Sequence, residues 1–222
     1  MLINIITLYP KYFESNFAFG TLKKALGINA INLNIINLRD FAFDNRGSVD
    51  DTPYGGGSGM ILRVDVLFNA LLSIKNSGYK VMLSASGKKY TQKIAKSLIK
   101  QDAITLICGK FEGFDERILN FVDLELSVGD YVLSGGEIAA LVVVDSVTRL
   151  LPGVLGNEES IEEESFSSES NLLEYPHYTK PQTFNGLSVP EVLISGNHKE
   201  IKSFRENEKL NKTKKNRPDL VL

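Results

Sequence analysis

The chain has 222 residues, of which 43% are hydrophobic and 23% charged, and its formal net charge is −2. This composition is that of an ordinary globular protein and excludes a chain that is disordered throughout. No apolar run is long enough to cross a bilayer, and the N-terminus lacks the basic segment and cleavage site of a signal peptide. We therefore expect a cytoplasmic protein that does not enter a membrane. The single cysteine, Cys108, excludes an internal disulfide and lies in a run typical of a buried strand.

The first 156 residues alternate between strand and helix patterns. Strand patterns cover residues 2–7, 31–37, 80–84, 103–108 and 123–128, and helical patterns cover 13–26, 64–77, 91–100, 115–121 and 136–151. Such alternation predicts an α/β fold with a mostly parallel sheet and helices on both faces. Residues 38–60 show no periodicity, and a loop of that length inside a compact domain usually contributes to a functional site.

Charge is distributed unevenly after Gly156. Residues 157–174 contain seven Glu and no Lys or Arg, whereas residues 199–217 contain eight Lys or Arg and three Glu. Helical patterns are present at 190–195 and 198–210. We therefore predict an α/β domain over 1–156, a flexible acidic linker over 157–174 and a small helical domain over 175–222. Only the basic helix suits a polyanion such as nucleic acid, and a simple solvated helix is the alternative interpretation.

The stretch from Ser127 to Gly156 joins a strand end to the most apolar helix pattern of the chain. Its glycines Gly129, Gly135 and Gly136 permit positive φ angles, and we expect them to leave backbone amides uncovered, where a flat polar ligand can bind. Asp145 and Arg149 lie four residues apart near the end of the helix, and the simplest interpretation of that spacing is an ion pair within the helix.

Three further patterns have more than one interpretation. The loop YGGGSGM at 54–60 resembles a nucleotide-binding loop, but no strand precedes it and no Gly-Lys-Ser/Thr follows, so a flexible loop that approaches a partner is favoured. Glu112, Asp115 and Glu116 follow a buried strand, a position typical both of a ligand crevice and of a helix N-terminus. The only two histidines, His177 and His198, are too far apart to indicate a metal site.

Long motifs are spread over nearly the whole chain. They are VDDTPYGGGSGM at 49–60, LSASGKKYTQ at 83–92, CGKFEGFDERI at 108–118, SVGDYVLSGGEIAALVVVDSVTRLLPGVLG at 127–156, EEESF at 162–166, YPHYTKP at 175–181, GNH at 196–198 and RPDL at 217–220. In this order they resemble the bacterial tRNA (guanine-N1)-methyltransferases.

The resemblance implies the SPOUT fold, in which a trefoil knot surrounds the methyl-donor pocket, and an obligate homodimer with active sites at the subunit interface. It also implies that S-adenosylmethionine methylates N1 of guanosine 37, the tRNA nucleotide 3′ of the anticodon, with a magnesium requirement whose ligands the sequence does not identify. The residues that it assigns to donor binding are Leu83, Ser84, Ala85, Gly109, Glu112, Val128, Gly129, Tyr131, Leu133, Gly135 and Gly136. Backbone groups of Leu83, Val128, Gly129, Tyr131 and Leu133 would hold the adenine.

The resemblance makes Glu164 the general base and Arg149 the cation that stabilises developing charge. The basic C-terminal segment supplies the candidate tRNA contacts Lys199, Lys202, Arg205, Lys214, Lys215 and Arg217. We expect the acidic linker to be disordered in the free protein and to become ordered when donor and tRNA bind. Glu162 and Glu163 are the alternative bases.

The chain departs from the family pattern at three positions, where Glu164 replaces an aspartate, Lys110 an arginine and Ala85 a proline. Two other functions stay open on the sequence alone. One is a related knotted methyltransferase that acts on ribose 2′-OH or ribosomal RNA, and the other is an RNA-binding module without catalytic activity.

Overall fold

A computed structural model of the chain describes residues 1–156, 163–167 and 171–221. The chain divides into two compact units, Met1–Gly156 and Asn157–Leu222. Half of the predicted acidic linker, including Glu162, lies outside the described residues. In the part of the chain that is described, no helix has both the length and the apolarity needed to cross a bilayer.

The first unit contains a five-stranded parallel sheet with the strand order β2-β1-β6-β5-β7. Its elements in chain order are β1 (Leu2–Thr7), α1 (Gly20–Gly27), β2 (Asn32–Asn37), β3 (Asp50–Asp51), β4 (Ile61–Leu62), α2 (Val64–Leu72), β5 (Tyr79–Lys89), α3 (Gln92–Leu98), β6 (Ala103–Cys108), β7 (Leu124–Ser127) and α4 (Gly136–Thr148). Strands β3 and β4 form a separate antiparallel pair. The predicted α/β fold with a parallel sheet is confirmed.

The core of this unit forms around the central strand β6, which is buried at all six positions. A strand covered on both faces reads as a continuous apolar run, as AITLIC does. Ile6, Met82 and Ile107 of neighbouring strands pack in one cluster with residues of α2. Helix α4 packs against β1, β5 and β6 and against helices α1 and α3. The sheet and α4 together fix the position of the loops that precede and follow them.

Several elements of the first unit differ from the sequence prediction at one end; α2, for example, ends at Leu72 instead of residue 77. Helix α1 begins at Gly20 instead of residue 13, because Gly20 has a φ of 61° and interrupts the helical path. Phe13 and Phe17 are both buried, so their spacing imitates a longer amphipathic helix. Strand β5 continues to Lys89 because it pairs with β7 again after a register shift between Leu83 and Lys88.

The second unit contains a short hairpin, β8 (Thr183–Phe184) and β9 (Leu187–Ser188), and the 19-residue helix α5 (His198–Asn216). Helix α5 extends six residues beyond the predicted end at Leu210. Thr213 explains the difference, since its buried hydroxyl donates to the carbonyl of Lys209 at 2.7 Å and accepts the amide of Leu173 at 2.9 Å. That contact anchors the last turns of the helix and has no signature in local periodicity.

Candidate active site

A cavity of about 320 Å³ opens at the carboxyl ends of β5, β6 and β7. This edge of a parallel sheet is the usual ligand site of α/β proteins. All of the residues that the motifs assign to donor binding are in its lining: Leu83, Ser84, Ala85, Gly109, Glu112, Val128, Gly129, Tyr131, Leu133, Gly135 and Gly136. The fold therefore brings residues separated by more than 50 positions into one site.

Gly136 allows the start of α4 to approach the end of β6. Its N–H donates to the carbonyl of Gly109 at 2.8 Å, and a methyl group on Gly136 would lie 2.6 Å from the Cα of Cys108. The N–H of Gly129 donates to the Ser127 hydroxyl at 3.3 Å. The prediction that the amides of Gly129 and Gly136 are uncovered was therefore wrong, and Gly135 is extended, with a φ of 177°. The glycine at 136 is required for close packing.

Lys110 joins two loops that form the wall of the cavity. Its Nζ donates to the carbonyl of Ser134 at 2.6 Å and lies 5.2 Å from the centre of the Tyr9 ring. An ammonium over an aromatic face is attracted by the ring quadrupole. The sequence marked Lys110 only as a departure from the family arginine, and the structure shows that it connects the loop after β6 to the loop before α4.

The glycine-rich loop reaches the rim of the cavity at Glu112. The N–H of Glu112 donates to the carbonyl of Met60 at 3.0 Å, and a Cβ on Gly59 would overlap the Glu112 side chain. Gly59 also has a φ of 79°, which side-chain-bearing residues rarely adopt. The 38–60 loop therefore contacts one residue of the cavity lining, and its contribution to a functional site stays a prediction.

The three acidic residues after β6 have different surroundings. Glu112 lines the cavity, whereas Asp115 caps the 3₁₀ helix Glu116–Phe121 and binds Arg117 with two hydrogen bonds, at 2.9 and 2.6 Å. These bonds lower the pKa of the Asp115 carboxyl. Glu116 is exposed in the first turn of that helix. The crevice interpretation thus holds for Glu112, and the capping interpretation holds for Asp115.

A buried carboxylate beneath the cavity was not found from the sequence. Glu137, in the first turn of α4, is 4% exposed and accepts a hydrogen bond from the Thr7 hydroxyl at 2.8 Å. A negative charge is stabilised at a helix N-terminus. Burial, with the nearby charge of Glu137 adding to it, raises the pKa of the Cys108 thiol, so this cysteine stays protonated and is a buried strand residue as predicted. The sequence did contain a signal for Glu137, because it is a charged residue in the first turn of an otherwise apolar helix.

Arg149 immediately follows α4 in the first unit and is half-buried. Its backbone N–H donates to the carbonyl of Asp145 at 3.0 Å, and Asp145 is exposed. The side-chain ion pair between the two residues stays a prediction.

Glu164 belongs to a short segment that is attached to the second unit. The Tyr175 hydroxyl donates to Glu163 at 3.0 Å, the amide of Glu174 donates to the Ser165 hydroxyl at 2.9 Å, and the amide of Phe166 donates to the carbonyl of Leu172 at 3.0 Å. These bonds attach residues 163–166 to residues 172–175, and the disorder of the acidic linker in the free protein stays a prediction.

The predicted tRNA contacts differ in how they present their charge. Lys199, Lys202, Lys214 and Lys215 are exposed on α5. The Arg205 guanidinium lies 4.7 Å from the centre of the Tyr175 ring. Arg217 forms two hydrogen bonds with Asp219, at 2.9 and 2.7 Å, so its charge is already paired.

These features define a class of protein: an α/β unit with a small-molecule pocket at the carboxyl ends of three parallel strands, joined to a second unit with a basic helix. The family model described as tRNA (Guanine-1)-methyltransferase TrmD matches residues 1–222. The chain is 49% identical to the tRNA (guanine-N(1)-)-methyltransferase of Malacoplasma penetrans, and the match covers 100% of this chain and 97% of that protein. It is 50% identical to the enzymes of the same name from Carboxydothermus hydrogenoformans, of which it covers 87%, and from Borrelia duttonii, of which it covers 93%. The chain belongs to the tRNA (guanine-N1)-methyltransferase family.

Proposed function

We propose that the protein transfers the methyl group of S-adenosylmethionine to N1 of guanosine 37 in tRNA, giving N1-methylguanosine and S-adenosylhomocysteine. The observation that carries this proposal is the joint lining of one cavity by the residues that match the family's donor site. The cavity suits the donor chemically, because its lining combines apolar side chains with glycines that let a flat, polar adenine approach the backbone, and the Lys110–Ser134 bond holds one wall in place. The donor supplies an electrophilic methyl group on a sulfonium.

Glu164 acts as the proton acceptor in this proposal. Neutral guanine carries a proton on N1, and this proton must leave as the N1 electron pair forms the bond to carbon. The carbon–sulfur bond breaks at the same time, its electron pair stays on sulfur, and the proton passes to the Glu164 carboxylate. Glu163 is the alternative base, and Glu164 is preferred because it matches the family's aspartate when EEESF is aligned through Ser165 and Phe166.

Arg149 stabilises the charge that develops on the guanine. Removal of the N1 proton shifts electron density towards O6, and a guanidinium near that oxygen lowers the energy of the transition state. The competing interpretation is the ion pair with Asp145, in which Arg149 only stabilises the helix end.

Arg149→Ala separates these two interpretations of the arginine. We expect the methyl-transfer rate to be lost while donor affinity is retained, because the donor cavity is lined by residues 83–139 and does not include Arg149. Calorimetry measures the donor affinity and a filter assay measures the rate. Loss of donor binding in step with activity would make Arg149 a structural residue.

The proposal includes the knotted form of the fold. After the edge strand β7 the chain returns across the ends of β5 and β6, and α4 starts against Cys108 and Gly109. The N–H of Tyr90 donates to the carbonyl of Ser127 at 2.7 Å, so the segment after β5 lies along the end of β7. A chain that passes under such a segment forms the trefoil that the family resemblance implies.

The proposal also includes a cytoplasmic homodimer with an active site shared between subunits. Ile138 and Val142 lie on one side of α4 and are 44% and 43% exposed. Val132, in the loop between β7 and α4, is 89% exposed. Apolar side chains clustered in this way mark a contact surface. A cytoplasmic location follows from the tRNA substrate.

Magnesium has no step in this mechanism. The described residues include no group of three or more His, Cys, Asp or Glu side chains arranged to hold a metal ion. Mg²⁺ is usually bound through one or two carboxylates with several retained waters, so the magnesium requirement that the resemblance implies stays a prediction without assigned ligands.

The proposed function is tested by identifying the product. The protein is incubated with a labelled methyl donor and an unmodified tRNA transcript, which is then digested to nucleosides. We expect label in N1-methylguanosine only, and no label when adenosine replaces guanosine 37. Label in a ribose-methylated nucleoside would select the related knotted enzyme, and tight tRNA binding without label would select the RNA-binding module.

A further inference from the structure

A second cavity, of about 470 Å³, lies wholly within the second unit. Aromatic rings, aliphatic side chains and two cations form its lining: Tyr175, Pro176, His177, Tyr178, Thr179, Lys180, Gln182, Val189, Leu193, Ile194, Ile201 and Arg205. Its volume is in the range of ligand sites, and none of the donor-site residues contributes to it.

Tyr175 is the most buried aromatic residue in the lining of this cavity, and its contacts hold it in place. It is 7% exposed, its hydroxyl donates to Glu163 at 3.0 Å, and its ring centre lies 4.8 Å from that of His177. Glu174 in turn holds the His177 imidazole at 2.8 Å. Burial and the bond to Glu163 raise the pKa of the Tyr175 hydroxyl, so it stays a donor. The aromatic wall is therefore held in place before any ligand arrives.

Two features of the lining point to a flat polar ligand. Tyr178 is 48% exposed, so part of its ring surface is available for stacking. Arg205, whose guanidinium stacks over Tyr175, also lines the cavity, and a planar guanidinium can both stack on a flat ligand and donate hydrogen bonds to its oxygen atoms.

We propose that this cavity binds one unstacked nucleotide of the tRNA substrate. Proteins recognise single-stranded RNA by stacking bases on aromatic side chains or arginine planes and by placing cations along the backbone. The cavity combines these groups: the Tyr178 ring for the base, Arg205 for a base carbonyl or phosphate oxygen, and Lys180 for the backbone. The inference rests on the proposed function, because it assumes tRNA as the substrate.

An RNA ligand explains the lining better than a protein segment does. An apolar peptide face would cover Ile194 and Leu193 but would leave the cations Arg205 and Lys180 without partners. The neighbouring helix α5 also carries exposed lysines, which complement a polyanion. We therefore assign the cavity to a nucleotide.

The test is a comparison of Tyr178→Ala with Phe184→Ala in the full-length protein. Phe184 is a matched control because it is 65% exposed, belongs to the same unit and does not line the cavity. Binding of an unmodified tRNA transcript is measured at several salt concentrations. Tyr178→Ala should weaken binding by roughly 5- to 150-fold, the loss expected for one stacked base, with an unchanged salt slope. Phe184→Ala should bind as the wild type does, and Tyr178→Phe should restore affinity.

A fluorescent base gives a second, independent measurement. Transcripts with 2-aminopurine at single anticodon-loop positions should show quenching at one position on binding, and this quenching should be absent with Tyr178→Ala. Wild-type affinity and unchanged quenching in Tyr178→Ala would overturn the proposal, as would equal losses in Phe184→Ala. Neither result affects the assay of N1-methylguanosine, so failure of this inference is distinguishable from failure of the proposed function.

Discussion

Lys110 connects two loops that form the wall of the candidate donor cavity. It holds the loop before α4 through the Ser134 carbonyl and covers the Tyr9 ring. The Lys110–Ser134 hydrogen bond should contribute about 1–2 kcal/mol, less than a fully buried charged hydrogen bond, because the ammonium is partly solvated.

Lys110→Met should weaken donor binding by roughly 5- to 30-fold, because the loop before α4 loses its anchor. Lys110→Arg should keep most of the affinity, since a guanidinium can donate to the same carbonyl and stack on the same ring. Isothermal titration with S-adenosylhomocysteine measures both. Lys80→Met is the matched control, because Lys80 pairs with Asp123 at the opposite end of β5. Equal affinities for all three variants would show that Lys110 does not position the loop.

The sequence predicted part of the cavity lining but not the contacts that shape the cavity. Motif resemblance named 11 of the 21 lining residues, and Lys110 and Ser134 are among those that it did not assign to the donor. The Lys110–Ser134 and Thr7–Glu137 hydrogen bonds, which shape the cavity, join residues 24 and 130 positions apart. Secondary-structure propensity and hydrophobic periodicity are local properties and do not indicate contacts over such separations. These two pairs are therefore visible only in the structure.

At the scale of elements, helix α5 does not carry its charge along one face. Lys202, Arg205 and Lys209 recur at spacings of three and four residues and share one side. Lys214 and Lys215 are adjacent, so their side chains are about 100° apart around the axis. A tRNA bound along one side would contact at most some of these lysines.

The variant with both Lys214→Ala and Lys215→Ala tests whether the end of α5 contacts phosphates. Affinity for tRNA should fall, and the log–log salt slope should become shallower by roughly 0.7–0.9 for each phosphate contact removed. The adjacent exposed lysines of α1, Lys23 and Lys24, provide the control pair, and their replacement by Ala should leave the slope unchanged. An unaltered affinity and slope in the α5 variant would remove this pair from the interface.

Element boundaries deviated from prediction where tertiary contacts override local preference. The sequence predicted the buried strand β6 well because six apolar residues in a row leave few alternatives. It misplaced the start of α1 and the end of α5, which depend on the left-handed Gly20 and on the Thr213 anchor. It also missed the β8–β9 hairpin, whose strands have only two residues each.

For the whole molecule, the proposed dimer makes stability depend on protein concentration. Thermal midpoints should rise with concentration over a hundredfold range for the wild type. Ile138→Asp should abolish this dependence, because it introduces a charge on the exposed apolar side of α4, whereas Leu72→Asp, on an apolar residue that is 67% exposed on α2, should not. A wild-type protein that sediments as a monomer with full activity would contradict the dimer.

In the proposed mechanism, Glu164 accepts the proton of guanine N1. Glu164→Gln preserves size and hydrogen bonding but removes basicity, and Glu163→Gln, one residue away, is its matched control because a glutamine can still accept the Tyr175 hydroxyl.

The most direct test is the single-turnover rate of methyl transfer at saturating donor and tRNA, measured together with donor affinity. We predict that Glu164→Gln lowers the rate by about 100-fold or more with unchanged donor affinity, that Glu164→Asp retains activity and that Glu163→Gln stays near the wild-type rate. A near-normal rate in Glu164→Gln, or a loss confined to Glu163→Gln, would contradict the assignment of the base.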